Sequence, residues 1–147
     1  LYLQMSSWCE SKGLGGCSGF LRRHAAEEME HMHRLFGYVN ETGAMVKIGA
    51  IEAPPDDFKD VTEVFRQTLA HEIEVTRSIN ELVAATFEAK DYSTFQFLQW
   101  YVAEQHEEER LFRGILDKIE LIDLSGRGLF LFDKEVEALA VAPSAEA

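Results

Sequence analysis

Phe97-Leu98-Gln99-Trp100-Tyr101-Val102-Ala103-Glu104-Gln105-His106-Glu107-Glu108-Glu109 is the stretch that decides the fold. Leu98, Tyr101, Gln105, Glu108, Phe112, Ile115 and Ile119 run through and beyond it in steps of 3, 4, 3, 4, 3 and 4, which is one narrow stripe along a helix. A stripe of that width packs against neighbouring helices at a shallow crossing angle, as in a bundle. Its middle holds an amide and a carboxylate where Leu or Val is expected. Ser93 with Gln96 reads as a capping box, and the helix is predicted over about 92–120.

The same period recurs upstream. Leu21, His24, Glu28, His31, Leu35 and Tyr38 predict a helix over about 18–43. Val61, Phe65, Thr68, Glu72, Val75, Ile79, Leu82 and Thr86 predict another over about 60–89, opened by Asp60 and Glu63. Breaks fall at the glycines between 13 and 19, at 43–55, at 90–93 and at Gly126 with Gly128. A first helix over about 1–12 and a short fifth over about 133–141 complete the set, with Leu129-Phe130-Leu131-Phe132 as an apolar connector that needs burial. Residues 142–147 read as a disordered tail, and no strand signal is present. Residues 44–59 have no helical period and contain Pro54-Pro55. Bundle connections are mostly about 2 to 8 residues. A connection this long can reach about 50 Å, against about 40 Å for the helix before it. The expected architecture is all-α: a single domain over 1–141, a four-helix bundle with one long crossover connection and a short C-terminal fifth helix.

Composition narrows the function. The 147 residues are 46% hydrophobic and 27% charged, as in a globular domain, and no apolar run reaches the roughly 18 to 20 residues of a membrane helix. Asp and Glu total 26 against 14 Lys and Arg, a net charge of -12. Such a surface repels nucleic acid and anionic lipid, so neither is expected as a partner, and cations are. Cys9 and Cys17 form no CxxC pair, which fits a reducing, cytoplasmic home.

Polar residues break three stripes near their middles: Glu28 and His31 at i, i+3, Glu72, and Gln105 with Glu108 at i, i+3. Buried carboxylates are costly unless a cation neutralises them. Glu72 lies 17 residues before Ala89 and Glu108 lies 16 after Tyr92. At 1.5 Å per residue both sit about 25 Å from the shared turn, level across an antiparallel pair. Three carboxylates, an imidazole and an amide suit iron or another first-row metal, and the lack of thiolates argues against structural zinc. The bland alternative makes each a surface glutamate on a misassigned period, but three broken stripes with two breaks at one height weigh against it. His24 and His71 read as ordinary polar or edge residues, and Glu30, Glu63, Glu88 and Glu109 as solvated.

These residues carry a resemblance. Phe20-Leu21-Arg22-Arg23-His24-Ala25-Ala26-Glu27-Glu28-Met29-Glu30-His31-Met32, then His71-Glu72, then the helix-four stretch quoted above, resemble bacterial non-haem ferritin, within the ferritin-like di-iron superfamily, over about Tyr2 to Leu139. The resemblance implies an iron-storage and detoxification protein, a ferroxidase that oxidises Fe(II) with dioxygen or peroxide at a di-iron carboxylate centre and deposits Fe(III) mineral in a cage. It implies that Glu28 and His31 bind one iron, that Glu72 and Glu108 bind the other with one of them bridging, and that Gln105 lines the centre. Glu27, Glu104 and Glu107, with Glu108, match a third iron site, Tyr2 the tyrosine close to the centre, and Trp100 an aromatic neighbour. The family places a further ligand glutamate seven residues before that tyrosine, a position ahead of Leu1. Loss of this ligand would leave one iron a carboxylate short and impair oxidation.

By the same resemblance the subunits form a homo-oligomeric cage of 24, with the fifth helix near the four-fold axis. Haem is not expected: Met29 stands where the haem-ligating Met of bacterioferritin stands, but non-haem ferritins carry a Met there too, and helix four has Gln105-x-x-Glu108 where bacterioferritin has Glu-x-x-His. The rival readings are a di-iron oxidase or oxygenase, for which no apolar substrate pocket is marked, a haem-binding bacterioferritin, a structural acidic bundle, and a DNA-protecting miniferritin, which lacks a fifth helix.

Overall fold

The computed structural model describes residues 1–139. The expected tail at 142–147 and the last residues of the expected fifth helix lie outside them. Five helices follow in order: α1 (Tyr2–Ser11), α2 (Gly15–Glu41), α3 (Val61–Glu88), α4 (Tyr92–Leu121) and α5 (Arg127–Leu139). Among the described residues there is no strand, and no helix is long and apolar enough to cross a membrane. The chain divides into two compact units, one of Leu1–Lys59 with the chain from Leu124 onward, the other of Asp60–Asp123.

In the first unit α1 and α2 form a hairpin that closes through Gly13, whose φ of 77° is open to glycine at little cost, with Leu14 N–H donating to the Cys9 carbonyl at 3.0 Å. Met5, Cys9, Cys17, Phe20 and Leu21 fill the space between the helices, and Ser6 Oγ donates to the Ser18 carbonyl at 2.8 Å. Trp8 packs edge-on to Phe58 and donates from Nε1 to Asp57 at 3.2 Å, which fastens the end of the long 42–60 connection to α1. The middle of that connection is exposed, Met45, Ile48 and Ile51 included.

The start of α2 departs from expectation. The helix begins at Gly15 rather than near residue 18. Leu14 offers no side-chain cap, and the Asp133 carboxylate of α5 accepts instead from Gly16 N–H at 3.0 Å and Cys17 N–H at 2.8 Å. Those donors have no partner inside the helix, so a distant carboxylate supplies what the local sequence does not. The fifth helix begins at Arg127 rather than at 133 and takes in the apolar run expected to be a connector. Phe132 and Val136 are fully buried, whereas Phe130 and Leu131 are exposed. The amphipathic turn of that run therefore buries one face within its own unit and leaves the other outside.

In the second unit α3 and α4 are antiparallel across a short turn in which Lys90 takes a left-handed φ of 57°. Asp60 caps α3, accepting from Glu63 N–H at 2.9 Å as expected. The cap of α4 is Asp91, not Ser93: its carboxylate accepts from Thr94 N–H at 3.1 Å and from the Thr94 hydroxyl at 2.5 Å. A carboxylate two residues earlier meets the third N–H of the helix, which Ser93, inside the first turn, does not. The buried residues of α4 are Leu98, Tyr101, Gln105, Glu108, Phe112, Ile115 and Ile119, the stripe read from the sequence.

Candidate metal centre

Glu72 lies at mid-length in α3 and is fully buried. Gln105, on α4, donates from Nε2 to Glu72 Oε2 at 2.9 Å and to the Glu72 main-chain carbonyl at 3.2 Å. Burial pushes the Glu72 carboxyl above the usual carboxylate range, the Gln105 hydrogen bond pulls it back, and the nearby Glu109 carboxylate pushes it up again. Glu108 stands three residues beyond Gln105 on the same buried stripe. The α3–α4 hairpin thus brings Glu72 into contact with Gln105, three residues nearer the turn than Glu108, the residue whose distance from the turn matches that of Glu72. His71 is half-exposed, its Nδ1 lying 3.8 Å from Glu72 Oε1.

Glu109 corrects the reading that left it solvated. Its side chain is mostly buried, with the Thr76 hydroxyl donating to Oε1 at 2.6 Å and the Arg113 guanidinium paired with Oε2. The hydroxyl comes from the facing helix and the guanidinium from one turn along α4, and together they satisfy a carboxylate that a run of three glutamates hides from sequence inspection. Thr76, Asn80, His106 and Glu109 line a cavity of about 210 Å³ to which Gln105 also contributes.

In the first unit Glu28 and His31 share a face of α2, with His31 Nδ1 at 3.5 Å from Glu28 Oε2. The imidazole is mostly buried and the carboxylate about one-third exposed. One turn earlier His24 Nδ1 approaches Glu27 Oε2 at 3.2 Å. His24 is no edge residue: it is buried, with its ring against Phe20 at 4.4 Å and edge-on to buried Tyr2 at 6.3 Å. Burial pushes its pKa down to about 4, Glu28 opposes this, and Arg23 and His31 add to it. His24 is on the sequence stripe, and the signal that would have found it is Phe20 one turn before it on the same helix face.

Of the other expected site residues, Glu104 is half-buried, whereas Glu107 and Glu27 are exposed. Trp100 is half-buried, its ring perpendicular to that of buried Tyr101 at 4.8 Å. Each unit thus carries carboxylate oxygen beside imidazole or amide, a hard donor set suited to first-row cations. The thiols do not suit the same role. Burial, followed by the Asp133 charge, pushes the Cys9 thiol up to about 12 and Cys17 higher still, which disfavours the thiolate a metal requires.

Residues 1–122 match the Ferritin family, described as a ferritin-like domain. The chain is 56% identical over 140 residues to a probable bacterial non-heme ferritin-like protein of Haemophilus influenzae, covering 95% of this chain and 85% of that one. It is 50% identical over 139 residues to the bacterial non-heme ferritin of Escherichia coli, covering 95% and 84%. Among solved structures it superposes on the open pore ferritin of the hyperthermophilic archaeon Archaeoglobus fulgidus with a TM-score of 0.90 at 42% identity, over 93% of this chain and 85% of that chain. The ferritin of Chlorobium tepidum gives 0.82 at 50% identity, over 92% and 84%. With five helices in this order and no strand among the described residues, the fold class is the ferritin-like bundle with its long crossover and fifth helix. The chain belongs to the ferritin family.

Proposed function

We propose that the chain captures Fe(II), oxidises it and stores it as Fe(III) mineral, with Glu28 and His31 holding one iron and Glu72 and Glu108 the other, one carboxylate bridging. Membership of the ferritin family supports iron storage and ferroxidase activity. The observation that carries the ligand assignment is Glu72. A carboxylate with no exposure costs several kcal/mol in an apolar stripe unless it is hydrogen-bonded and charge-compensated. Gln105 supplies one hydrogen bond to the carboxylate but brings no charge of its own, and a divalent cation supplies the charge.

Iron is the substrate and cargo. Hard anionic oxygens favour Fe(III) over Fe(II), so carboxylate binding lowers the potential and drives oxidation. Each iron gives up one electron, and a pair reduces dioxygen to hydrogen peroxide with uptake of two protons, or hydrogen peroxide to two waters. Glu27, Glu104 and Glu107, with Glu108, hold a third iron in this reading. Tyr2, buried edge-on to His24, is the tyrosine beside the centre. The working form is a homo-oligomer, a cage of 24 in the cytoplasm, and the exposed Phe130 and Leu131 of α5 support contact with further subunits.

The test is stopped-flow oxidation of two Fe(II) per subunit by the native protein and by Glu72→Gln, His31→Ala and Glu108→Gln. Each variant is expected to lose at least about tenfold in initial rate, as loss of a ligand-shell contact commonly costs. Anomalous density from bound Zn(II) is expected at the same four side chains. Unchanged rates in all three variants, or metal density elsewhere, would overturn the assignment, and a monomer by light scattering would overturn the cage.

A further inference from the structure

Gln105 is expected from the family resemblance to line the centre, and its geometry describes a more specific job. One amide nitrogen bridges two acceptors of a single residue, the Glu72 carboxylate at 2.9 Å and the Glu72 main-chain carbonyl at 3.2 Å. A donor shared in this way ties the end of the Glu72 side chain back to its own backbone. Glutamate has three rotatable side-chain bonds, and this bridge restrains the freedom they would otherwise give the carboxylate. Gln105 is itself buried on the α4 stripe, so α4 packing fixes the amide that fixes the carboxylate.

The bridge also makes the two carboxylate oxygens unlike. Oε2 accepts from Gln105, while Oε1 is the oxygen turned toward the His71 ring. A cation that approaches Glu72 meets Oε1 without competing with the amide, whereas symmetric two-oxygen binding must share Oε2 with it and is disfavoured. We propose that Gln105 is a positioning residue, not an iron ligand: its side-chain amide holds Glu72 in one rotamer and presents Oε1 to iron as a single-oxygen ligand. The neutral donor also satisfies the buried carboxylate between turnovers, so the site keeps its shape when iron has moved on to storage.

This role rests on the reading of Glu72 as a ligand, and the experiment separates the two. Co(II) is titrated into metal-free native protein and its visible ligand-field absorption followed, for Gln105→Leu, Glu72→Gln and the double variant. Gln105→Asn, which keeps the amide but shortens its reach, is included because it disturbs packing less, and far-ultraviolet dichroism checks helix content throughout. Gln105→Leu and Gln105→Asn are each expected to weaken Co(II) binding about tenfold, in the range seen when the support of a metal ligand is removed, and to change the absorption band shape. In the Glu72→Gln background, Gln105→Leu is expected to cost nothing further, because all of its effect passes through Glu72. An equal loss in both backgrounds would make Gln105 an independent ligand and overturn the positioning role alone. Native affinity in Glu72→Gln would remove Glu72 as a ligand, and the positioning role with it.

Discussion

The main-chain carbonyl oxygen of Asp133 lies 2.1 Å from the place where a Cβ on Gly16 would stand. The backbone of α5 thus touches the first turn of α2 at a spot that only glycine leaves empty, and the obstacle is main chain rather than the end of a movable side chain. Gly16→Ala is expected to push α5 away and lower stability by about 1–3 kcal/mol, the usual cost of overpacking a filled site. Urea unfolding checks the loss. Faster amide exchange over residues 129–136 is expected with it, since that stretch is what the glycine contact seats.

Asp133 works in the other direction, from α5 to α2. Its carboxylate is buried and accepts both the Gly16 and the Cys17 N–H. Asp133→Ala strands two buried donors, and at roughly 1–3 kcal/mol for each such group the change is expected to destabilise more than an exposed helix cap does. Asp133→Asn keeps an acceptor and is expected to lie between. Equal unfolding midpoints for all three proteins would show that water replaces the carboxylate.

The same carboxylate bears on the thiols. Cys9 and Cys17 are fully buried, and burial together with the Asp133 charge raises both above the ordinary thiol value. Neither is expected to react with an alkylating reagent at neutral pH while the protein is folded, and both are expected to react in denaturant. Mass spectrometry after a timed pulse of iodoacetamide reads this directly. Rapid labelling of either cysteine in the folded protein would contradict it.

What the sequence discloses follows from where each interaction partner lies. The α4 stripe, including Gln105 and Glu108, is readable because helical period alone decides which side chains face inward, and Glu72 is readable because it interrupts the same kind of period. Leu82, on the α3 stripe, is nevertheless substantially exposed, since period assigns a face and not the neighbour that covers it. The start of α2 is not readable: its cap comes from Asp133, 117 residues away along the chain. The apolar run at 129–132 is ambiguous because four consecutive apolar residues carry no period, and only the buried Phe132 and Val136 select a helix. Thr76 hides the burial of Glu109 for the reason that hides Asp133, a partner on another helix. The pairing of Glu28 with His31 on one face of α2 is legible by contrast, because i, i+3 spacing fixes it locally.

His24 contributes one part of the pH dependence of the metal-free protein. Its pKa is pushed down to about 4 in the folded chain, chiefly by burial, against 6.5 for the free side chain. Between these values the unfolded chain binds a proton that the folded chain does not, so stability falls as pH falls. The contribution is complete above pH 6.5, is lost through the window from 6.5 to about 4, and is constant below it. A shift of this size corresponds to about 3 kcal/mol. Glu72 acts with the opposite sign: its raised carboxyl pKa means the folded chain takes up that proton first, so its contribution weakens stability as pH rises. A single stability profile therefore mixes the two, and the difference between native protein and His24→Gln isolates the histidine. In chelator-treated protein the native chain is expected to lose more stability than the variant between pH 6.5 and 4, with the two curves parallel above that window. Parallel curves throughout would show that His24 accepts its proton as readily in the folded protein as in the unfolded chain, and the buried, neutral imidazole beside Glu27 would have to be abandoned.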